Sequence, residues 1–310
     1  METNSIPFVS ICTTTYNREK FIAEAIESCM MQKTNFSFEM VICDNCSTDK
    51  TVEVIEEYIA KYPGKIRLLK ADKNYGLMLN YIKSIEAGTG KYIADCDGDD
   101  YWIDEFKLQK QVDFLEANPD YVMCFTNSYI RYNEKGEEEI AKKNLWDTCD
   151  ASQIIEHNSI EGAKHGEIIN SPGHISSIVF RNHVLGSFPD WYYTCYINDE
   201  PLYLMLSKFG KAKFINDISS VYRINPMGIS TDGFSFEVDF KGRIGFYKNI
   251  DQFHEFKYHK QINSVISKYY LKLTKLDFNN KKYLSAFKYI MLALKYDFNS
   301  IQKIKEKVAE

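Results

Sequence analysis

The sequence predicts an α/β fold, a mostly parallel central sheet flanked by helices, with a C-terminal helical extension. Three observations predict it. Short apolar runs alternate with helix-period segments through the first third of the chain. Each run feeds a polar turn, so ligand-type side chains collect at the carboxyl edge of a sheet built with right-handed crossovers. From about residue 236 the composition shifts to Lys, Tyr and Phe at helical spacing, which divides the chain into 1–235 and a helical part, 236–310.

Taken in order, Phe8-Val9-Ser10-Ile11-Cys12-Thr13 reads as a buried strand. Apolar residues at Phe21, Ile22, Ala25, Ile26 and Met30 then give a helix over 18–31. A second unit follows, with a strand over 38–43, a polar turn over 44–49 and a helix over 51–61 that Ser47-Thr48-Asp49 is suited to cap. Next come a strand at 66–69, a helix at 76–86, a strand from Tyr92 to Cys96 and a helix at 105–116. Beyond it the pattern predicts a strand at 121–132, a turn at 133–137, and loops with short helices over about 140–172. A strand at 176–181, a helix at 201–209 and a strand pair over 213–223 complete the first part. Asp277-Phe278-Asn279 and Asp297-Phe298-Asn299 flank one C-terminal helix, a faint echo of a helical repeat.

The most informative segment is Tyr92-Ile93-Ala94-Asp95-Cys96-Asp97-Gly98-Asp99-Asp100-Tyr101-Trp102, where a strand delivers four Asp residues within six positions. Carboxylates there suit a hard divalent cation, and Mg²⁺ is held by one or two carboxylates plus substrate phosphates. A solvated acidic loop is the plain alternative. An EF-hand is not: Asp95, Asp97 and Asp99 have its spacing, but Asp100 stands where Gly is needed and Phe106 where Glu is needed.

Composition excludes several classes. A net charge of −5 with interspersed signs gives no reason to expect nucleic-acid binding. No apolar run reaches the ~18 residues of a membrane span, and Met1-Glu2-Thr3-Asn4-Ser5 has no leader character, so a cytoplasmic location is expected. Lysines beside aromatics in the last helices leave open a peripheral contact at the inner membrane face, against the alternative that these helices pack back on the first part. The eight cysteines look like reduced, buried small hydrophobes; Cys43-Asp44-Asn45-Cys46 lacks the second pair a zinc site needs.

The stretches Val9 to Arg18, Val41 to Asp49, Gly90 to Ala94 running into Asp97-Gly98-Asp99-Asp100, and Asn198-Asp199-Glu200-Pro201-Leu202 with Val221-Tyr222-Arg223 together resemble family 2 glycosyltransferases of the GT-A fold. The resemblance implies that 1–235 is the catalytic domain. It implies that Thr14, Tyr16 and Asp44 hold the nucleotide, with Asn45 standing where many members have a second acid. It maps the Asp-x-Asp motif onto Asp97-Gly98-Asp99, with Asp99 and Asp97 binding Mn²⁺ or Mg²⁺, Asp97 also facing the ribose and Asp100 a neighbour. It makes Asp199 the catalytic base with Glu200 as competitor; without it, the pair reads as acids in a helix's first turn. Asn225 stands where many members carry a His. His174, Trp102 and Trp191 are candidate acceptor or sugar contacts, against ordinary burial for each. His157, His165, His183, His254 and His259 show no ligand spacing.

The implied activity is inverting, metal-dependent transfer of a sugar from a nucleotide-diphospho-sugar, UDP-linked as the commonest case, to a hydroxyl of a glycan or lipid-linked acceptor, as in surface glycan synthesis. Homodimerisation is left open. A non-catalytic nucleotide-sugar or glycan-binding protein on the same fold is the alternative. No Gly-x-Gly-x-x-Gly follows the first strand, which disfavours a dinucleotide oxidoreductase, and the convergent acidic pair does not suit a glycosidase.

Overall fold

The structure, a computed structural model, describes residues 6–131, 138–140, 147–157, 173–224 and 235–298. In chain order the elements are β1 (Val9–Thr15), α1 (Ile22–Met30), β2 (Phe38–Asp44), α2 (Thr51–Lys61), β3 (Ile66–Lys70), α3 (Leu77–Ala87), β4 (Tyr92–Asp95), β5 (Tyr101–Trp102), α4 (Lys107–Ala117) and β6 (Tyr121–Arg131). Then follow β7 (Glu138–Ile140), β8 (Thr148–Cys149), α5 (Ala151–His157), β9 (Val179–Arg181), α6 (Asp199–Leu206), β10 (Lys211–Arg223), α7 (Phe236–Phe253), α8 (His259–Asn279) and α9 (Tyr283–Tyr296). Short 3₁₀ turns precede β9 and α6. The predicted turn at 133–137, His165, Asn225 and most of 140–172 lie outside the described residues.

One sheet runs β3-β2-β1-β4-β9-β6-β10-β5, with β7 on β6 and β8 on β10. β1, β2, β3 and β4 are parallel, and so are β6 and β10. β9 is antiparallel to both β4 and β6 and joins the two parallel sets.

Alternation along the strands assigns the two faces. Val9 and Ile11 of β1, Tyr92 and Ala94 of β4, and Cys124 of β6 join α1 and α4 in one buried cluster. Cys12, Ile93, Met123 and Phe125 point the other way, into a cluster with α3, α6, α7 and α8. Residues from both sides of position 235 therefore share one core: Phe246, Tyr247 and Ile250 of α7 are buried with Leu202 to Leu206 of α6.

Three expectations are corrected. The predicted strand pair over 213–223 is the single strand β10, because register shifts around Ile215 and Ile218 absorb the polar break at Asn216-Asp217 without ending the pairing with β6. The helix expected from 18 begins at Ile22, because Arg18 N–H donates to Thr51 Oγ1 (2.7 Å) and pins the preceding turn to the start of α2. Trp102 does not face a ligand. Only 1% exposed, it donates Nε1–H to Ser176 O (2.7 Å) beneath the sheet, with the Lys107 ammonium 4.2 Å from its ring centroid.

Candidate active site

The carboxyl ends of β1, β2 and β4 meet at one rim. The loop after β1 is laced to the loop after β2: Asn17 N–H donates to Ser47 Oγ (2.8 Å), Thr48 N–H to Asn17 Oδ1 (2.8 Å), and Asn45 N–H to Thr15 O (2.9 Å). Asn17 and Cys46 accept left-handed backbone, φ 53° and 67°, to make these turns. As expected, Asp49 closes the first turn of α2, its Oδ1 accepting from Thr51 N–H (2.9 Å). Tyr16 stands 40% exposed on this rim, open to stack on a planar ligand.

Asp44 and Asn45 are both buried but differently committed. Both protons of the Asn45 amide nitrogen are used, on Asn74 Oδ1 (3.0 Å) and Gly76 O (3.3 Å), and its oxygen accepts from Tyr75 N–H (2.8 Å). Asn45 thus fixes the entry to α3. Asp44 accepts from Ser47 N–H (3.0 Å) and Ser47 Oγ–H (2.5 Å), which leaves carboxylate lone pairs over.

The acidic turn leaves β4 folded against β1. Gly98 N–H donates to Thr14 O (3.0 Å) and Thr14 Oγ1–H to Asp97 Oδ1 (3.0 Å). A Cβ at position 98 would lie 2.9 Å from Thr15 Cβ and 3.0 Å from Thr14 O, so only glycine lets the turn approach this closely. Gly98→Ala is therefore expected to push the turn off β1 and destabilise the fold by about 1–3 kcal/mol, the scale of an overpacking cost. A urea denaturation midpoint measured against the parent chain checks this.

The four acids of the turn have separate fates. Asp100 is structural: its Oδ2 accepts from Ser176 Oγ–H (2.5 Å) and its Oδ1 from Arg223 N–H (3.0 Å), which ties the turn to the strand end of β10. Asp99 is paired with Arg18, Nε to Oδ2 2.9 Å, and its carbonyl accepts from Arg223 Nη1 (2.9 Å). Burial first, then the neighbouring Asp100 and Asp99 charges, push the Asp97 carboxyl up to about 8, and Asp199 adds to the same push. Asp95 lies below, buried, its carboxyl held well above the usual range by desolvation and by Asp97.

Asp97 and Asp99 offer the oxygen donors a hard divalent cation takes, and their crowded negative charge is what such an ion offsets. No group of three or more His, Cys, Asp or Glu side chains among the described residues is arranged to chelate a metal. Substrate oxygens and water would complete the coordination, as is usual for Mg²⁺ with phosphates.

Across the rim, Asp199 opens α6 and accepts from Glu200 N–H at Oδ1 (2.7 Å). Desolvation raises its carboxyl pKa and Arg243 draws it back. Glu200 is not free to compete as base. It is 6% exposed, ion-paired with Arg243 and hydrogen-bonded by Tyr247 O–H (2.6 Å), both on α7. Arg243 also reaches Asp239 (2.9 Å), which accepts from Tyr196 O–H. Gly242 makes room for that tyrosine ring, since a Cβ there would sit 2.5 Å from it.

His174 is likewise committed inward. Its Nδ1 accepts from Ser176 N–H (3.3 Å) and its ring lies against Tyr222, centroids 4.2 Å apart. Burial pushes its pKa down to about 3, so its 3.5 Å approach to Asp100 is not an ion pair. Trp191 sits edge-on to Tyr192 (6.1 Å), whose O–H donates to Asn198 O (2.7 Å) just ahead of the base candidate. Ser176, Arg243 and Tyr247 escaped sequence reading because each acts on a partner 43 to 76 residues away, and no local spacing announces such a contact.

The chain is similar to several known proteins. Residues 10–158 match the profile described as Glycosyl transferase family 2. The chain is 32% identical over 182 residues to the uncharacterized protein Rv1520 of Mycobacterium tuberculosis, covering 57% of this chain and 53% of that protein. It is 36% identical over 127 residues to the putative glycosyltransferase EpsE of Bacillus subtilis, covering 41% and 45%. The chain thus spans about half the length of these relatives. Among solved structures, Staphylococcus aureus TarS 1-349 in complex with UDP-GlcNAc superposes with a TM-score of 0.59 at 15% identity, over 95% of this chain and 92% of that one. The mannosyltransferase PcManGT of Pyrobaculum calidifontis, in complex with GDP-Man and Mn²⁺, gives 0.55 at 14% identity, over 98% and 89%. Residues 10–158, just under half of the chain, are thus similar to family 2 of the glycosyltransferases, and the chain has the GT-A fold of these solved structures.

Proposed function

We propose that the protein transfers a sugar from a nucleotide-diphospho-sugar to an acceptor hydroxyl, with inversion at the anomeric carbon and Asp199 as general base. The observation that carries this is the convergence on one rim of a rigid acidic turn, Asp97 to Asp99, with a single later carboxylate, Asp199, whose neighbour Glu200 is already neutralised. Fold neighbours in complex with UDP, UDP-GlcNAc and GDP-Man support a nucleotide-linked donor, and the last, which also holds Mn²⁺, supports a divalent ion.

Asp44 and Thr14 hold the nucleoside in this scheme, and Tyr16 covers the base. Asp97 and Asp99 would hold Mn²⁺ or Mg²⁺, which when bound neutralises charge on the diphosphate leaving group. As the acceptor oxygen bonds to the anomeric carbon, the bond to the diphosphate oxygen breaks and the hydroxyl proton passes to Asp199. The buried rings of Tyr192 and Tyr203 neighbour Asp199, and their bulk would keep water from that side of it.

Incubating the protein with UDP-, GDP- and dTDP-sugars, with and without Mn²⁺, tests the reading. Donor hydrolysis or transfer that needs the metal supports it; donor binding with no turnover under any condition would leave a binding protein instead. Tyr16→Ala is expected to raise the donor KM about tenfold with kcat nearly unchanged, since a base–aromatic stack is worth ~1–3 kcal/mol. Steady-state kinetics against donor concentration measures it.

A further inference from the structure

We propose that the outward face of α9 docks on an anionic lipid bilayer, an interaction independent of the catalytic reading. The helix has two unlike faces. Inward, Ala286 and Ala293 are buried, and Tyr289 and Tyr296 stack on Tyr270 of α8 with centroids 6.2 and 5.6 Å apart. Outward, Leu284, Phe287 and Met291 line one stripe at spacings of three and four residues, 87%, 62% and 52% exposed. Phe278 and Tyr283, 62% and 59% exposed, extend it past the α8–α9 corner. A contiguous apolar strip of this kind marks an interaction surface.

Charge chooses the occupant. From Phe278 to Tyr296 the chain carries Lys281, Lys282, Lys288 and Lys295 and no acidic residue, within a protein of net charge −5. Lys288 and Lys295 make no ion pair among the described residues. They lie beside the stripe on the same exposed side of the helix. A second copy docked by the same face would bring lysine against lysine. Phosphate headgroups instead satisfy the lysines while the acyl boundary takes Leu284 and Phe287, the arrangement of a helix lying in the membrane surface. No helix among the described residues is long and apolar enough to cross a membrane, so α9 would lie on the bilayer without spanning it.

The test pellets the full chain with large vesicles of phosphatidylcholine alone or with about 30% phosphatidylglycerol. Binding is expected only to the anionic vesicles and is lost in high salt. Lys288→Gln with Lys295→Gln is expected to weaken it roughly twenty-five-fold, about fivefold per lysine. Leu284→Glu with Phe287→Glu is expected to abolish it while leaving the melting temperature unchanged, since both side chains are exposed. Absence of binding by the parent chain, or equal binding by the Glu variant, would overturn the proposal. So would a concentration-dependent dimer in sedimentation equilibrium that the Glu variant dissolves without any vesicle binding.

Discussion

Asp199→Asn is expected to lower kcat by at least about a hundredfold while leaving the donor dissociation constant within about twofold. The amide keeps the shape of the carboxylate, and its oxygen can still accept from Glu200 N–H, so α6 should start where it does now. What disappears is the ability to take a proton. Because desolvation raises the Asp199 pKa, the base ionises only above the ordinary carboxylate range. Activity is then full above that raised value and declines as pH falls through it. A pH profile of kcat/KM in which the acid limb sits above the normal range in the parent, with the remaining activity of the Asn variant lacking that limb, is the expected pair. An Asn variant that turns over at the parent rate would remove Asp199 from the role.

The second large effect is on stability. Arg243→Met leaves Glu200 buried without its cation, and breaking a buried pair from one side costs about 3–5 kcal/mol. The expected result is a large drop in the urea midpoint. Adding Glu200→Gln should recover much of the loss, because a neutral amide can still accept from Tyr247 O–H without an uncompensated charge. At temperatures where the single variant stays folded, loss of the Arg243 charge should also move the acid limb of the rate profile to higher pH, since Arg243 is what draws the Asp199 pKa down. A midpoint unchanged by Arg243→Met would mean the pair contributes nothing net. The network also bears on chain organisation: a protein ending near residue 235 would lose Arg243, Tyr247 and the α7 face that covers Leu202 to Leu206.

Much of this was legible from residue patterns. The helix over 51–61 shows a clean period and a capping acid, and β4 with its acidic turn is a local feature from strand to ligand. What was not legible depends on partners distant in sequence. Nothing around Glu200 announces that Arg243 neutralises it, so Glu200 stands as a competitor to Asp199 in the sequence. Trp102 follows an acidic turn and looks like a ligand platform, but which side of the sheet it occupies is set by β5 pairing with β10 more than a hundred residues later. The break at Asn216-Asp217 suggested two strands because a bulge has no sequence signature as strong as a turn. The antiparallel β9 was hidden because a short apolar run does not reveal its direction.

On the proposed reading, the cross-bracing of Asn17, Ser47, Thr48 and Asn45 would give the nucleoside a receptor finished before the ligand arrives. Little ordering entropy remains to be lost on association, so affinity is spent on contacts and not on loop closure. On that same reading the stiffness would make base choice strict: a base edge that mismatches Asp44 would meet no yielding wall, and the donor or acceptor it strands would count in full against the wrong nucleotide.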